Sequence, residues 1–147
     1  MLPEKKIIDF VARHHVLTLA TVSESGAPYC AACFYAYDKS SNRIIFTTDD
    51  NTTHGKNMIA DNRISCGINL ETRVVGKVQG IQICGTVHSG EDADKMTYIK
   101  RFPYAAVAPL NILVIEPDFM KLTTTRLVLA RNLYGADKSR SCNSCRR

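Results

Sequence analysis

Residues 46–58 read FTTDDNTTHGKNM and hold four threonines, a histidine and a lysine. Thr47 and Thr48 end an apolar, β-type run, while Thr52 and Thr53 lead into helical sequence. Hydroxyls and the unpaired N–H groups of a helix start therefore converge. That combination suits an anion, because a helix N-terminus carries about half a positive charge and threonine hydroxyls add neutral hydrogen bonds. Lys56 would bring a point charge, and His54 one or two N–H donors according to its protonation. Asp49 and Asp50 oppose this and must turn away from any phosphate. Plain helix capping by Thr52 or Thr53, with a solvated His54 and Lys56 behind it, accounts for the same residues. Neither G-x-x-x-x-G-K nor G-x-G-x-x-G occurs, so neither standard nucleotide loop applies.

A second candidate is the aromatic run 29–37, YCAACFYAY. As a strand it sends Tyr29, Ala31, Cys33, Tyr35 and Tyr37 to one face and Cys30, Ala32, Phe34 and Ala36 to the other. Small residues beside aromatics leave a slot for a flat ring, or simply fill a tapering barrel. The run also contains Cys30-Ala-Ala-Cys33, and Cys142-Asn-Ser-Cys145 repeats the C-x-x-C spacing near the C-terminus. Two such pairs can form a zinc ribbon. On a strand, however, residues three apart point to opposite faces, so Cys30 and Cys33 can neither share a metal nor close a disulfide. No metal site is expected. Cys30, Cys33, Cys66 and Cys84 all lie in apolar, strand-like sequence and read as reduced core thiols.

The elements that must hold these residues follow from hydrophobic period and turn chemistry. Ile7, Ile8, Val11 and Ala12 have helical spacing within residues 3–14. Residues 16–22 (VLTLATV) and 29–37 form a hairpin across SESGAP, and a third strand, 44–48, follows DKSSNR. A helix spans 54–61, and 64–69 resumes as strand. Residues 74–89 (VVGKVQGIQICGTVHS) read as one long strand whose Gly76, Gly80 and Gly85 suggest bulges or sharp coiling. Acidic residues 91–94 open another helix that ends near Phe102 and Pro103, and two last strands, 112–116 and 119–124, flank Pro117 and Asp118. The class is α+β, with six or seven antiparallel strands in a closed or partly closed sheet and two or three small helices.

One domain, 1–135, is expected, followed by a flexible basic tail, 136–147. The net charge of +5 is local: residues 126–147 carry six basic residues and one acidic, leaving 13 of each before them. A neutral body lacks the basic face that nucleic acid requires, so nucleic acid is not the expected partner. No apolar run reaches the roughly 18 residues of a membrane span and the N-terminus lacks a signal-peptide order, so the expected location is the cytoplasm.

Taken in order, LATVSESGAPYCAACFYAYD, IIFTTDDNTTHGKNMIADNRISCGI, VQGIQICGTV and YIKRFP resemble the pyridoxamine 5'-phosphate oxidase-like, FMN-binding split barrels, and within them the YhbP-related subgroup. The resemblance covers roughly residues 16–124. It implies a split β-barrel with FMN as cofactor and a homodimer with the flavin at the subunit interface. Thr47 and Thr48 would look toward the flavin, and the loop and helix start through Thr53, His54 and Lys56 would hold its phosphate. Cys30, Ala31, Ala32, Cys33, Phe34 and Tyr35 would run along the isoalloxazine ring, offering backbone N–H and C=O groups to its polar edge. Partner residues on 78–84 or near Arg131 would complete the site. Related oxidases place an arginine and a lysine where this chain has Thr53 and His54; Lys56 and the helix start would compensate.

The resemblance does not extend to the oxidases' substrate-phosphate residues, so pyridoxamine phosphate oxidation is not expected, and no side chain stands out as a catalytic acid or base. The first expectation is a flavin-dependent oxidoreductase acting on a small organic substrate. The alternatives are a non-catalytic flavin, deazaflavin or haem binding protein, and a nucleic-acid partner working through the basic tail. Fold alone does not choose among these, and no residue pattern identifies the substrate or the electron donor.

Overall fold

Apolar residues recurring at every second position build one closed barrel. A computed structural model describes residues 2–126 and 129–135. In chain order the elements are α1 (Lys5–Arg13), β1 (Val16–Val22), β2 (Pro28–Asp38), β3 (Arg43–Thr47), α2 (Thr53–Ala60), β4 (Arg63–Asn69), β5 (Gln79–Ser89), α3 (Asp92–Arg101), β6 (Ile112–Arg126) and β7 (Leu129–Gly135). Short 3-10 turns lie at Val75–Lys77 and Pro103–Val107. All pairings are antiparallel, in the order β3-β2-β1-β4-β5-β6-β7, and an added β3–β6 pairing closes the first six strands. The α+β split-barrel class expected from the sequence is the one observed, with β7 lying outside the closed ring on the C-terminal half of β6.

Inward side chains from every barrel strand meet in one core: Leu17 and Leu19, Cys33, Tyr35 and Tyr37, Ile44 and Phe46, Ile64, Cys66 and Ile68, Ile81 and Ile83, then Ile115, Met120 and Leu122. Helix α1 adds Ile7, Phe10 and Val11, and α2 adds Met58, so these two helices contribute to the barrel core. A second cluster forms outside the barrel, where Tyr98 and Phe102 cover Ala36, Ile45, Ile112 and Val114. Removing this much apolar surface from water is the main stabilising term.

Polar groups fix the helices to the barrel. The Tyr35 hydroxyl donates to the Val11 carbonyl at 2.6 Å, and burial pushes its pKa up. Arg101 Nη2 donates to the carbonyls of Ala12 and His14, as a cation at the end of α1 should. Asn57 Nδ2 donates to Thr21 Oγ1 at 3.0 Å, both residues being buried, which pins α2 to β1.

Three expectations are corrected. Residues 74–89 are not one strand: Val75–Lys77 form a 3-10 turn and pairing begins at Gln79. Valines alone suggested a strand, but Val74 and Val75 find no strand partner, and the Val78 carbonyl accepts from the Thr125 N–H of β6 just before the ladder begins. Pro117 and Asp118 do not divide two strands either, since β6 runs through them. The register with β5 shifts between Cys84, opposite Phe119, and Gly85, opposite Pro117, so Asp118 is the extra residue of a bulge. Gly85 permits this close crossing, because a Cβ there would collide with the Glu116 carbonyl oxygen. Finally, Cys33, Cys66 and Cys84 are buried, as expected, but Cys30 is exposed on the outer face of β2.

No helix among the described residues is long and apolar enough to cross a membrane. The expected tail and its Cys142 and Cys145 lie outside the described residues, as does the side chain of Arg131.

Candidate functional site

The candidate site begins with an edge. β2 pairs with β1 from Pro28 to Phe34, but with β3 only from Tyr35 to Asp38. The Tyr35 N–H donates to the His15 carbonyl, so the N–H and C=O groups of odd-numbered residues face β1. Those of Cys30 and Ala32 point the other way, beyond the end of the β2–β3 ladder. A backbone edge with alternating donors and acceptors is thereby left open, and it can pair with any ligand edge of matching pattern.

The outer face beside this edge is shallow. Cys30 and Ala32 are exposed and small, and Phe34 is 53% exposed. Cys33 and Tyr35 point into the barrel core, and Ala31 is partly buried against it. Of the six residues expected along a flat ring, only Cys30, Ala32 and Phe34 thus present side chains to that side. The other three can serve only by holding the strand.

The loop after β3 forms the neighbouring wall. Thr47, Thr48, Asp49, Asp50 and Asn51 face Pro109, Leu110 and Asn111 across an open recess of about 740 Å³. Asn111 clasps the loop: its carbonyl accepts from Thr47 Oγ1 at 2.9 Å, and its amide donates to Asp50 Oδ1 at 2.6 Å. Asp49 Oδ1 accepts from the Asn51 N–H and side-chain amide. Both carboxylates are therefore tied to groups within the recess wall.

Beyond the loop, Thr52 caps α2 by accepting from the Gly55 N–H at 3.1 Å, and it donates to the Asp49 carbonyl at 2.7 Å. Gly55 is required by this turn, since a Cβ would meet the Asp49 carbonyl oxygen. Helix geometry leaves the Thr53 and His54 N–H groups without an intrahelical acceptor. His54 Nε2 shares a 2.6 Å hydrogen bond with Thr48 Oγ1 and lies 3.4 Å from Thr52 Oγ1. Its ring lies nearly parallel to that of Tyr29, with centroids 6.4 Å apart. Burial lowers the His54 pKa from its ordinary value, so the neutral imidazole is favoured.

The structure thus joins Thr48, Thr52 and His54 in one hydrogen-bonded group at the start of α2, while Thr47 turns to Asn111. Thr53 and Lys56 are exposed on the first turns of the helix. Capping by Thr52 is real, and it coexists with two free-facing amides, one exposed hydroxyl and one lysine. The plain capping expected at this position therefore describes Thr52, and the remaining groups are what an anion could use. Tyr29 and Asn111 were missed in the sequence. Asn111 lies 64 positions from Thr47, and no local pattern signals it; Tyr29 was assigned a face of β2 but not a neighbour.

Three comparisons bear on this geometry. The UPF0306 protein YhbP of Salmonella paratyphi B is 29% identical over 136 residues, covering 90% of this chain and 92% of its own. A solved structure of a heme binding protein from Mycobacterium smegmatis superposes with a TM-score of 0.74 at 16% identity, over 88% of this chain and 57% of that one. This chain therefore spans little more than half of that protein. An FAD-binding protein from Mesorhizobium loti gives a TM-score of 0.65 at 14% identity, over 80% of this chain and 89% of that one. These structures share the barrel fold at low identity. The family model described as pyridoxamine 5'-phosphate oxidase matches residues 3–126, which include the whole closed barrel, the open β2 edge and the loop into α2, and the chain belongs to that family.

Proposed function

We propose that this chain binds FMN and works as a flavin-dependent oxidoreductase on a small organic molecule, as a homodimer. One observation carries the reading: the open edge of β2 at Cys30 and Ala32, beside an outer face of small side chains. The isoalloxazine ring has a polar edge of one N–H flanked by carbonyl oxygens, which matches a strand edge of alternating acceptors and donors. Phosphate would be held by the Thr53 and His54 amides, the Thr53 hydroxyl and Lys56, with Thr48 steadying His54. Asp49 and Asp50 are hydrogen-bonded to Asn51 and Asn111 but keep their negative charge, so they oppose the phosphate that the α2 donors hold. The single lysine makes the grip weaker than an arginine and lysine pair would be.

Bound flavin supplies hydride or electron transfer; this chain's residues bind, orient and electrostatically support it. The family match and the FAD-binding structural neighbour support a flavin reading, and the heme binding neighbour supports haem as the second reading. No side chain of the β2 edge or the loop into α2 is assigned to the iron of a bound haem. Deazaflavin could use the same β2 edge and is distinguished by spectrum.

The test is a visible absorption spectrum of purified protein after incubation with FMN, and separately with haemin, each followed by gel filtration. Retention of about one FMN per chain is expected, followed by bleaching on NADH or NADPH addition. A protein that retains haemin and no FMN overturns the flavin assignment. Retained FMN that no nicotinamide reduces leaves a flavin-binding protein without the proposed turnover.

A further inference from the structure

Two aspartates just before a helix are natural caps for it, because a carboxylate accepts from the unpaired N–H groups of the first turn and is favoured by the positive end of the helix. Asp49 and Asp50 stand in that position before α2, and the Asp50 Cα lies 3.0 Å from where a Cβ on Gly55 would be, so its side chain starts beside the first turn. Among the described residues, however, no hydrogen bond joins either carboxylate to the helix. Asp49 Oδ1 accepts from the Asn51 N–H and side-chain amide at 2.8 and 3.0 Å, and Asp50 Oδ1 accepts from Asn111 Nδ2 at 2.6 Å, a charge-assisted bond. The cap is the neutral Thr52 hydroxyl instead. Asn51 is two residues from Asp49, so that turn is local, whereas Asn111 reaches Asp50 from just before β6, 61 positions away. The Asn111 carbonyl also accepts from Thr47 Oγ1 and the Thr48 N–H, so one residue grips the loop on both sides of Asp49.

We propose that Asn111 is a positioning residue for the flavin phosphate: it draws the Asp50 carboxylate to the recess and so keeps the Thr53 and His54 amides open to an anion. The inference rests on the phosphate assignment at the start of α2 and adds the device that lets acidic residues stand beside it. Asp50 keeps its charge and opposes the phosphate wherever its side chain lies. Opposition through solvent is screened, however, while a carboxylate bonded to the same amides competes for them directly. Removing the Asn111 amide takes away the donor that Asp50 now has and leaves the helix start as the neighbouring set of unpaired N–H groups. The carboxylate would then cap α2, and the phosphate would have to displace it.

The test is isothermal titration of FMN and of riboflavin into the full chain as wild type, Asn111→Ala, Asp50→Ala and the double variant. Riboflavin presents the same ring without the phosphate, so its affinity reports the fold and the β2 edge. Asn111→Ala should bind FMN roughly fivefold more weakly than wild type, with riboflavin affinity within about twofold. Asp50→Ala should bind FMN at least as tightly as wild type. Adding Asn111→Ala to it should change nothing further, because the carboxylate that Asn111 holds is gone. An unchanged ratio of FMN to riboflavin affinity in Asn111→Ala overturns the positioning role. So does a loss of FMN affinity that persists in the double variant, which would make Asn111 a structural part of the loop. Equal FMN and riboflavin affinities in wild type overturn the phosphate assignment and the positioning role together, whereas a wild-type preference that survives Asn111→Ala overturns the positioning role alone.

Discussion

The two faces of β2 use one strand for opposite ends. Inward, Cys33, Tyr35 and Tyr37 are 9% exposed or less, and the Tyr35 and Tyr37 hydroxyls are bonded to Val11 and Asn42. Outward, Cys30 and Ala32 are bare and Phe34 is half exposed. A side chain with every contact satisfied holds the barrel closed; one left open at an unpaired edge costs stability and is available to a ligand. The inward face should therefore govern stability and the outward face binding.

Substitutions can break that division, beginning with the largest effect. Tyr35→Ala removes a fully buried ring and strands the Val11 carbonyl, so unfolding in urea should show a loss of about 3–5 kcal/mol. A loss under about 1 kcal/mol would end the claim that this face holds the barrel. Asn57→Ala leaves the buried Thr21 hydroxyl unpaired and should cost roughly 1–3 kcal/mol in the same assay. Phe34→Ala, one residue from Tyr35 but on the other face, should cost only about 0.5–1.5 kcal/mol, the worth of its contact with Phe102. Together, Thr48→Ala, His54→Ala and Lys56→Ala should shift stability by about 1 kcal/mol or less, since all three are at least partly exposed, while FMN affinity falls about tenfold or more. Unchanged affinity in a folded triple variant would remove the phosphate assignment.

The smallest expected effect is a pH dependence. Burial lowers the His54 pKa in the folded state from its ordinary 6.5, so the unfolded chain takes up the proton first as pH falls. The stability supplied by neutral His54 is complete above that ordinary value and is lost as pH drops through the folded one. His54→Gln should flatten this part of the stability curve, read by urea midpoints across the acid range.

Much of the division was legible in the sequence. Strict alternation in YCAACFYAY put Cys33, Tyr35 and Tyr37 together on one face, and β1 begins and ends at the residues expected, Val16 and Val22. The threonines before α2 signalled a cap because capping is local. Less legible were features set by distant partners. Val75–Lys77 look like strand until the absence of a ladder decides otherwise, and Pro117 looked like a break because the bulge that absorbs it depends on Gly85. The open edge at Cys30 and Ala32 exists only because β3 stops at Thr47. Alternation gives a residue its face, but not the length of the neighbouring strand.

The most direct test of the central claim is the ratio of FMN to riboflavin affinity for the wild-type chain, by isothermal titration. Both present the same ring to the β2 edge, and only FMN carries the phosphate. Two charge-assisted hydrogen bonds of roughly 1.5 kcal/mol each at the start of α2 should make FMN about a hundredfold tighter. Equal affinities would contradict the assignment of Thr53, His54 and Lys56 as the phosphate site.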